Sequence, residues 1–185
     1  MTRRARPKYN LRRWLTVVCC SAALAACDND PIIVYVDPAI DLGDYSAELI
    51  VEGPPTVKVG FYIEQLFSPL EDGGECFVAY GVQGGTWTMP ALRTTGIGSP
   101  VSVACQLVTE SGELVGDVAA EIPLFLTPDG FLEIQAFPIP VRHAPPNEDT
   151  PIEDLYGAPA TLTCSVSDFE ERADQISVLV EIVED

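Results

Sequence analysis

His143 is the only histidine in the chain, so any serine or cysteine nucleophile that needs an imidazole base must use it. Its neighbourhood argues against that role. Residues 142–151 hold three prolines and two acids and read as a long exposed loop, which makes His143 a solvated side chain. No Gly-x-Ser-x-Gly elbow accompanies it, because Gly96-Ile97-Gly98-Ser99-Pro100 has proline where the last glycine should stand. One histidine without a Cys-x-x-Cys pair does not build the common zinc sites, and no glycine loop suited to phosphate or a dinucleotide is present. The expectation is a chain that is not an enzyme and needs no cofactor.

Carboxylates are the other groups with chemical potential. Glu71, Asp72 and Glu75 form one cluster, Glu148, Asp149, Glu153 and Asp154 a second, and Asp37, Asp41 and Asp44 a third. Two carboxylates about 5–10 Å apart can hydrolyse a glycoside, but these lie in turn-like segments with few aromatics to stack a sugar. Hard oxygen ligands at one end of a β-domain suit Ca2+, although no EF-hand pattern occurs. The primary reading is solvated turns. Calcium-dependent adhesion is the alternative, and a carboxylate-pair hydrolase the one after it.

The elements that must position these groups are strands. From Tyr45 onward the chain shows period-two alternation or short apolar runs between turn residues, and nothing sustains a helical period for three turns. Strands are predicted at 45–52, 57–63, 76–80, 86–93, 101–109, 113–121, 122–126, 131–137, 159–167 and 175–183. Thr127-Pro128-Asp129-Gly130 and Glu110-Ser111-Gly112 predict hairpin turns, since proline presets φ and glycine accepts positive φ. Trp87, Met89 and Ala91 alternate on one face, which makes Trp87 a core residue and the preceding Gly84-Gly85 pair a tight turn or bulge. The competing reading is a recognition aromatic behind a flexible glycine pair. The expected fold is all-β, an antiparallel β-sandwich of about 7–9 strands.

The N-terminus carries an address. Six bases (Arg3, Arg4, Arg6, Lys8, Arg12, Arg13) with no acid precede an apolar run from Leu15 to Ala26, too short to span a bilayer and built like an export signal. The run ends in Leu24-Ala25-Ala26-Cys27. This pattern resembles the lipobox of bacterial lipoproteins, which implies cleavage before Cys27 and diacylglycerol on its sulfur. Residues 1–26 are then a signal peptide, 27–44 an acidic tether and 45–185 one domain, with the apolar stretch 32–36 an alternative first strand. Each buried methylene contributes about 0.8 kcal/mol, so two or three acyl chains hold a protein to a bilayer durably. Asp28 resembles the inner-membrane retention signal of enteric bacteria. Arg12-Arg13 before Trp14-Leu15 resembles a twin-arginine signal, which leaves the export route open.

Cleavage changes the charge and the cysteine count. All 28 acids lie beyond Ala26 and face four bases, Lys58, Arg93, Arg142 and Arg172, so the exported part carries a formal charge of −24. Phosphate attraction has the wrong sign, which argues against nucleic acid as a partner. Cys19 and Cys20 leave with the signal and Cys27 is acylated, leaving Cys76, Cys105 and Cys164. In an exported protein, three thiols predict one disulfide among three pairings. Val101, Val103, Cys105 and Leu107 share one strand face and Ala160, Leu162, Cys164 and Val166 another, which favours Cys105 with Cys164. The alternative is three buried free thiols.

The segments Phe67-Ser68-Pro69-Leu70-Glu71-Asp72-Gly73, Gly81-Val82-Gln83-Gly84-Gly85-Thr86-Trp87 and Val166-Ser167-Asp168 resemble those of a group of bacterial envelope lipoproteins. That resemblance implies an immunoglobulin-like or fibronectin-III-like sandwich and no known activity. True immunoglobulin domains differ: no Trp follows Cys105 on the next strand, and Leu162 stands where a tyrosine corner would place Tyr. The reading is a lipid-anchored, non-catalytic binding or structural module of the cell envelope. Its partners are the bilayer, through Cys27, and an unidentified envelope protein or surface ligand.

Overall fold

The computed structural model describes residues 50–81 and 84–185. The signal peptide, Cys27, the tether, the stretch 32–36 and the first predicted strand up to residue 49 lie outside them. Residues 50–52 form no strand, and Val51 accepts one bond from the Gly96 amide.

The alternating segments fold as their period requires. In β6 (Val101–Thr109), Val101, Val103, Cys105 and Leu107 point inward while Ser102, Ala104 and Gln106 face solvent. In β11 (Pro159–Asp168), Ala160, Leu162, Cys164 and Val166 are buried between half-buried threonines and serines. Successive side chains of a strand leave opposite faces, so a period of two gives one dry face and one wet one. These strands pair antiparallel over nine positions, and β7 (Leu114–Ile122) joins β6 through the Glu110-Ser111-Gly112 turn. β12 (Ala173–Glu184) flanks β11 on its other side.

The remaining strands are β1 (Thr56–Ile63), β2 (Leu66–Pro69), β3 (Gly74–Tyr80), β4 (Thr86–Thr88), β5 (Ala91–Thr95), β8 (Phe125–Leu126), β9 (Leu132–Ile134) and β10 (Ile139–Pro140). A 3-10 turn covers Ile152–Leu155. One sheet runs β2-β1-β5-β9-β8, the other β10-β4-β3-β12-β11-β6-β7. Val57, Val59, Leu92, Leu132 and Ile134 of the first and Cys76, Val78, Leu107, Leu162 and Ile182 of the second belong to one buried core. Each such side chain contributes about 1.5–3 kcal/mol on burial. The architecture is all-β, in two sheets.

Three features depart from the sequence expectation. Twelve strands replace about 7–9: 86–93 breaks at Pro90, so β4 and β5 fall in different sheets, 122–126 breaks at Pro123, and β2 and β10 form where no strand was predicted. Proline has no N–H to give a ladder, so the chain turns from one layer to the other there. The sheet is also not wholly antiparallel, since β3 and β12 run parallel from Gly74↔Val180 to Val78↔Glu184. Third, the outer edges of the larger sheet meet. Ile139 and Pro140 pair with Thr88 and Trp87, Val141 bridges Gly116 of β7, and the Arg142 amide bonds the Val115 carbonyl at 2.8 Å. Gly116 permits this contact, as a Cβ there would lie 3.0 Å from Ile139 Cγ2 and 3.2 Å from the Pro140 oxygen.

Cys105 and Cys164 form a disulfide, and Cys76 is a buried free thiol. The two bonded residues stand directly opposite each other on β6 and β11, with Cα atoms 4.2 Å apart. That spacing belongs to a non-hydrogen-bonded antiparallel pair, where side chains approach most closely. The bond therefore joins neighbours within one sheet and does not tie the two layers together as the immunoglobulin disulfide does. It links positions 59 residues apart, for which the loop-entropy model gives about 4 kcal/mol. Unfolding in urea should show a loss of about that size in a Cys105→Ala, Cys164→Ala variant, and equal stability would deny the bond any role.

Candidate functional site

Asp37, Asp41 and Asp44 lie outside the described residues, and the other two acid clusters are not gathered into a centre. Glu71 and Asp72 occupy the β2–β3 turn and Glu75 lies on β3; Asp72 Oδ1 accepts the Leu179 amide at 2.9 Å. Glu148 and Asp149 sit in the turns before the 3-10 segment that carries Glu153 and Asp154. Glu153 accepts the Tyr80 phenol at 2.6 Å, which lowers the Glu153 pKa and raises that of Tyr80. Among the described residues no three acidic, histidine or cysteine side chains are grouped to hold a metal ion. Asp72 and Glu153 instead hold turns against neighbouring strands.

Two single residues correct the sequence reading. Thr88, not Trp87, points into the core: Thr88 is fully buried with Oγ1 3.4 Å from the Cys76 sulfur, while Trp87 is half-buried and Met89 exposed. A polar residue takes the inward register because the Cys76 thiol provides a partner for its hydroxyl. Trp87 lies instead over the glycine turn, where a Cβ on Gly81 would sit 3.2 Å from Trp87 Nε1, and Gly84 and Gly85 both have positive φ. His143 is not solvated. It is 8% exposed, its Nδ1 stands 3.1 Å from Glu113 Oε1, and its Nε2 is buried without a hydrogen-bond partner among the described residues. Glu113, at the foot of the β6–β7 turn, also accepts the Ala144 amide at 2.9 Å and so holds the 142–144 segment.

A charge cluster on the smaller sheet had no signal in the sequence. Arg93 of β5 stands directly opposite Glu133 of β9, and Tyr62 of β1 donates its phenol to the same carboxylate. Glu133 is 0% exposed. The Arg93 guanidinium lies 4.4 Å from the Phe67 ring centroid and 4.3 Å from that of Phe131, and its Nη1 reaches Asp129 Oδ2 at 3.0 Å. Two rings sandwich one cation, which shields the ion pair from water. Burial and the adjacent Glu133 carboxylate raise the Tyr62 pKa, so the phenol stays a neutral donor.

A second buried carboxylate, Asp168 at the end of β11, accepts the Gly98 amide at 2.8 Å, the Glu170 and Arg172 amides at 2.9 and 3.1 Å, and Arg172 Nε at 2.7 Å. Burial pushes its pKa up, but the Gly98 amide and the Arg172 and Glu170 donors outweigh burial and hold it below the usual carboxylate value. Together these bonds close the β11–β12 turn and fasten it to the loop before β6.

The open concavity is elsewhere. Val57, Val59, Phe61 and Ile63 share the inward face of β1, and their burial falls along the strand until Ile63 is 54% exposed. Opposite them Phe77 of β3 meets Phe61 edge-on, with centroids 5.5 Å apart. Between the β1–β2 hairpin and β3 lies a groove of about 450 Å3, floored by Phe61, Ile63, Leu70 and Phe77 and flanked by Glu71 and Glu75.

Arg93→Ala should cost about 3–5 kcal/mol in chemical denaturation, because it strands a buried carboxylate. Arg93→Lys should recover little, since an ammonium cannot lie flat between two rings. Adding Glu133→Gln to Arg93→Ala should restore part of the loss; a cost under about 1 kcal/mol for Arg93→Ala would reduce the cluster to a surface ion pair. Asp168 gives a pH signature. A carboxylate whose folded pKa is depressed contributes stability above its unfolded pKa of about 3.9 and loses it as pH falls through the folded value. Asp168→Asn should therefore destabilise by about 2 kcal/mol at neutral pH, with a gap that narrows below about pH 4; a constant gap would mean the charge is irrelevant.

Compared with known protein families, curated proteins and solved structures, the chain matches none of them significantly.

Proposed function

We propose that the protein is anchored to a membrane of the bacterial cell envelope by lipid on Cys27 and presents its β-domain as a non-catalytic binding or structural module. The observation that carries this reading is Leu24-Ala25-Ala26-Cys27, placed behind six bases and a short apolar run. Charge supports it. A part bearing −24 is repelled by anionic headgroups, so acyl chains, not surface electrostatics, must supply the attachment. The acidic stretch 27–44 then holds the domain off the bilayer, and Asp28 favours the inner membrane.

The non-catalytic part of the reading draws on how polar groups are spent. Glu133 is occupied by Arg93 and Tyr62, Asp168 by Arg172 and three amides, and Asp174 Oδ2 by the Val57 amide at 2.8 Å. Carboxylates used in this way lock loops and strands. An immunoglobulin-like or fibronectin-III-like pedigree belongs to the same proposal, supported by the resemblance of segments 67–73, 81–87 and 166–168 to envelope lipoproteins.

Cells fed labelled palmitate should incorporate it into the wild-type protein, and Cys27→Ala should abolish both labelling and processing at that site. Unlabelled wild-type protein recovered from the soluble fraction would overturn the anchor.

A further inference from the structure

We propose that the groove between the β1–β2 hairpin and β3 docks an extended basic segment of a partner protein, with apolar side chains seated on Phe61, Ile63 and Phe77 and a lysine or arginine on Glu71 or Glu75. The proposal rests on the reading of the domain as a binding module and names the surface and the partner's chemistry.

The first argument is that a core face continues past its core. Val57 and Val59 are covered by the opposite sheet, whereas Ile63, on the same face of β1, is 54% exposed and its cross-strand neighbour Leu66 is 72% exposed. Two aliphatic side chains thus stand together at the tip of a hairpin, next to a concavity whose volume falls in the usual range for ligand sites. The turn that presents them is itself costly. Glu64 and Gln65 have φ of 49° and 67°, the left-handed region where a residue with a Cβ is disfavoured by about 1 kcal/mol or more. Asparagine and glycine are the ordinary residues of such a turn, so Ile63 and Leu66 are held opposed at the expense of local strain.

The second argument selects the occupant. The groove carries Glu71 and Glu75 at its rim and no base among its lining residues. A second copy of the exported part would bring another −24 of charge and a matching acidic rim, so self-association is opposed by repulsion. A segment with alternating apolar and basic residues matches both features: strand periodicity puts its apolar side chains on the aromatic floor and leaves its cations within reach of the carboxylates. β2 adds a further means of capture, because among the described residues it pairs on one side only, with β1.

The test uses the full, detergent-solubilised protein and three labelled synthetic peptides read by fluorescence anisotropy: leucine alternating with lysine, serine with lysine, and leucine with glutamate. The Leu-Lys peptide should bind at least about tenfold more tightly than either control. Ile63→Ser, and separately Glu71→Lys with Glu75→Lys, should each weaken it by about the same factor, while Phe169→Ser, at an exposed apolar site in the β11–β12 turn, should leave it unchanged. All four residues are exposed, so these variants should keep the wild-type melting temperature, measured alongside. Equal binding of the Ser-Lys peptide, or full binding by Ile63→Ser, would overturn the proposal. So would a concentration-dependent dimer abolished by Ile63→Ser, which would make the groove a self-interface. Palmitate labelling of the same preparations separates the two readings: lost peptide binding with intact labelling overturns the groove alone, and lost labelling with intact binding overturns the anchor alone.

Discussion

A chain with 28 carboxylates and four bases beyond Cys27 can bury a carboxylate only where a cation or a set of amides meets it, and every such meeting point organises the structure around it. Arg93 is spent on Glu133, which ties β5 to β9 and, through Tyr62, to β1. Arg172 is spent on Asp168, which closes the β11–β12 turn and joins it to Gly98. Carboxylates nearer the surface take backbone donors: half-buried Asp174 receives the Val57 amide and exposed Asp72 the Leu179 amide. The Val57–Asp174 bond links β1 of one sheet to β12 of the other, so acid-to-amide contacts help hold the layers in place beside the apolar core.

Much of the fold was legible because alternation is a local signal. β6, β11 and β12 carry it over nine or more residues, and their ranges follow it closely. Cys105 and Cys164 shared the same legibility, since each sits on the apolar face of a strongly alternating strand. β2 and β10 were not legible: they are four and two residues long and each ends in proline, and β10 pairs with β4, about fifty residues before it. Trp87 was misassigned for a related reason. Hydrophobicity pointed it inward, but the register of a three-residue strand was decided by a hydroxyl, Thr88, that finds the Cys76 sulfur.

The buried ion pair was illegible in principle. Arg93 and Glu133 are 40 residues apart, and neither residue type advertises burial. His143 failed in the same way, because what removes it from solvent is Glu113 on a different hairpin. The groove was half visible. Glu71 and Glu75 stood out as acids, but the apolar floor beside them is assembled from β1 and β3 of different sheets. On the proposed reading those acids act at the rim of a docking surface, a role distinct from coordination of an ion.

The parallel pairing of β3 with β12 has a kinetic meaning. β3 leaves the ribosome early, yet the strand beside it in the sheet is formed by residues 173–184, roughly a hundred positions later, and loop closure over such distances slows folding. β12 also lies between β3 and β11, in the interior of the sheet order. The neighbouring positions in the larger sheet, β3 and β11, therefore lack the strand between them until residues 173–184 are made. Until then β3 and β11 each keep an edge without its partner, so the last strand is the one that seals the sheet.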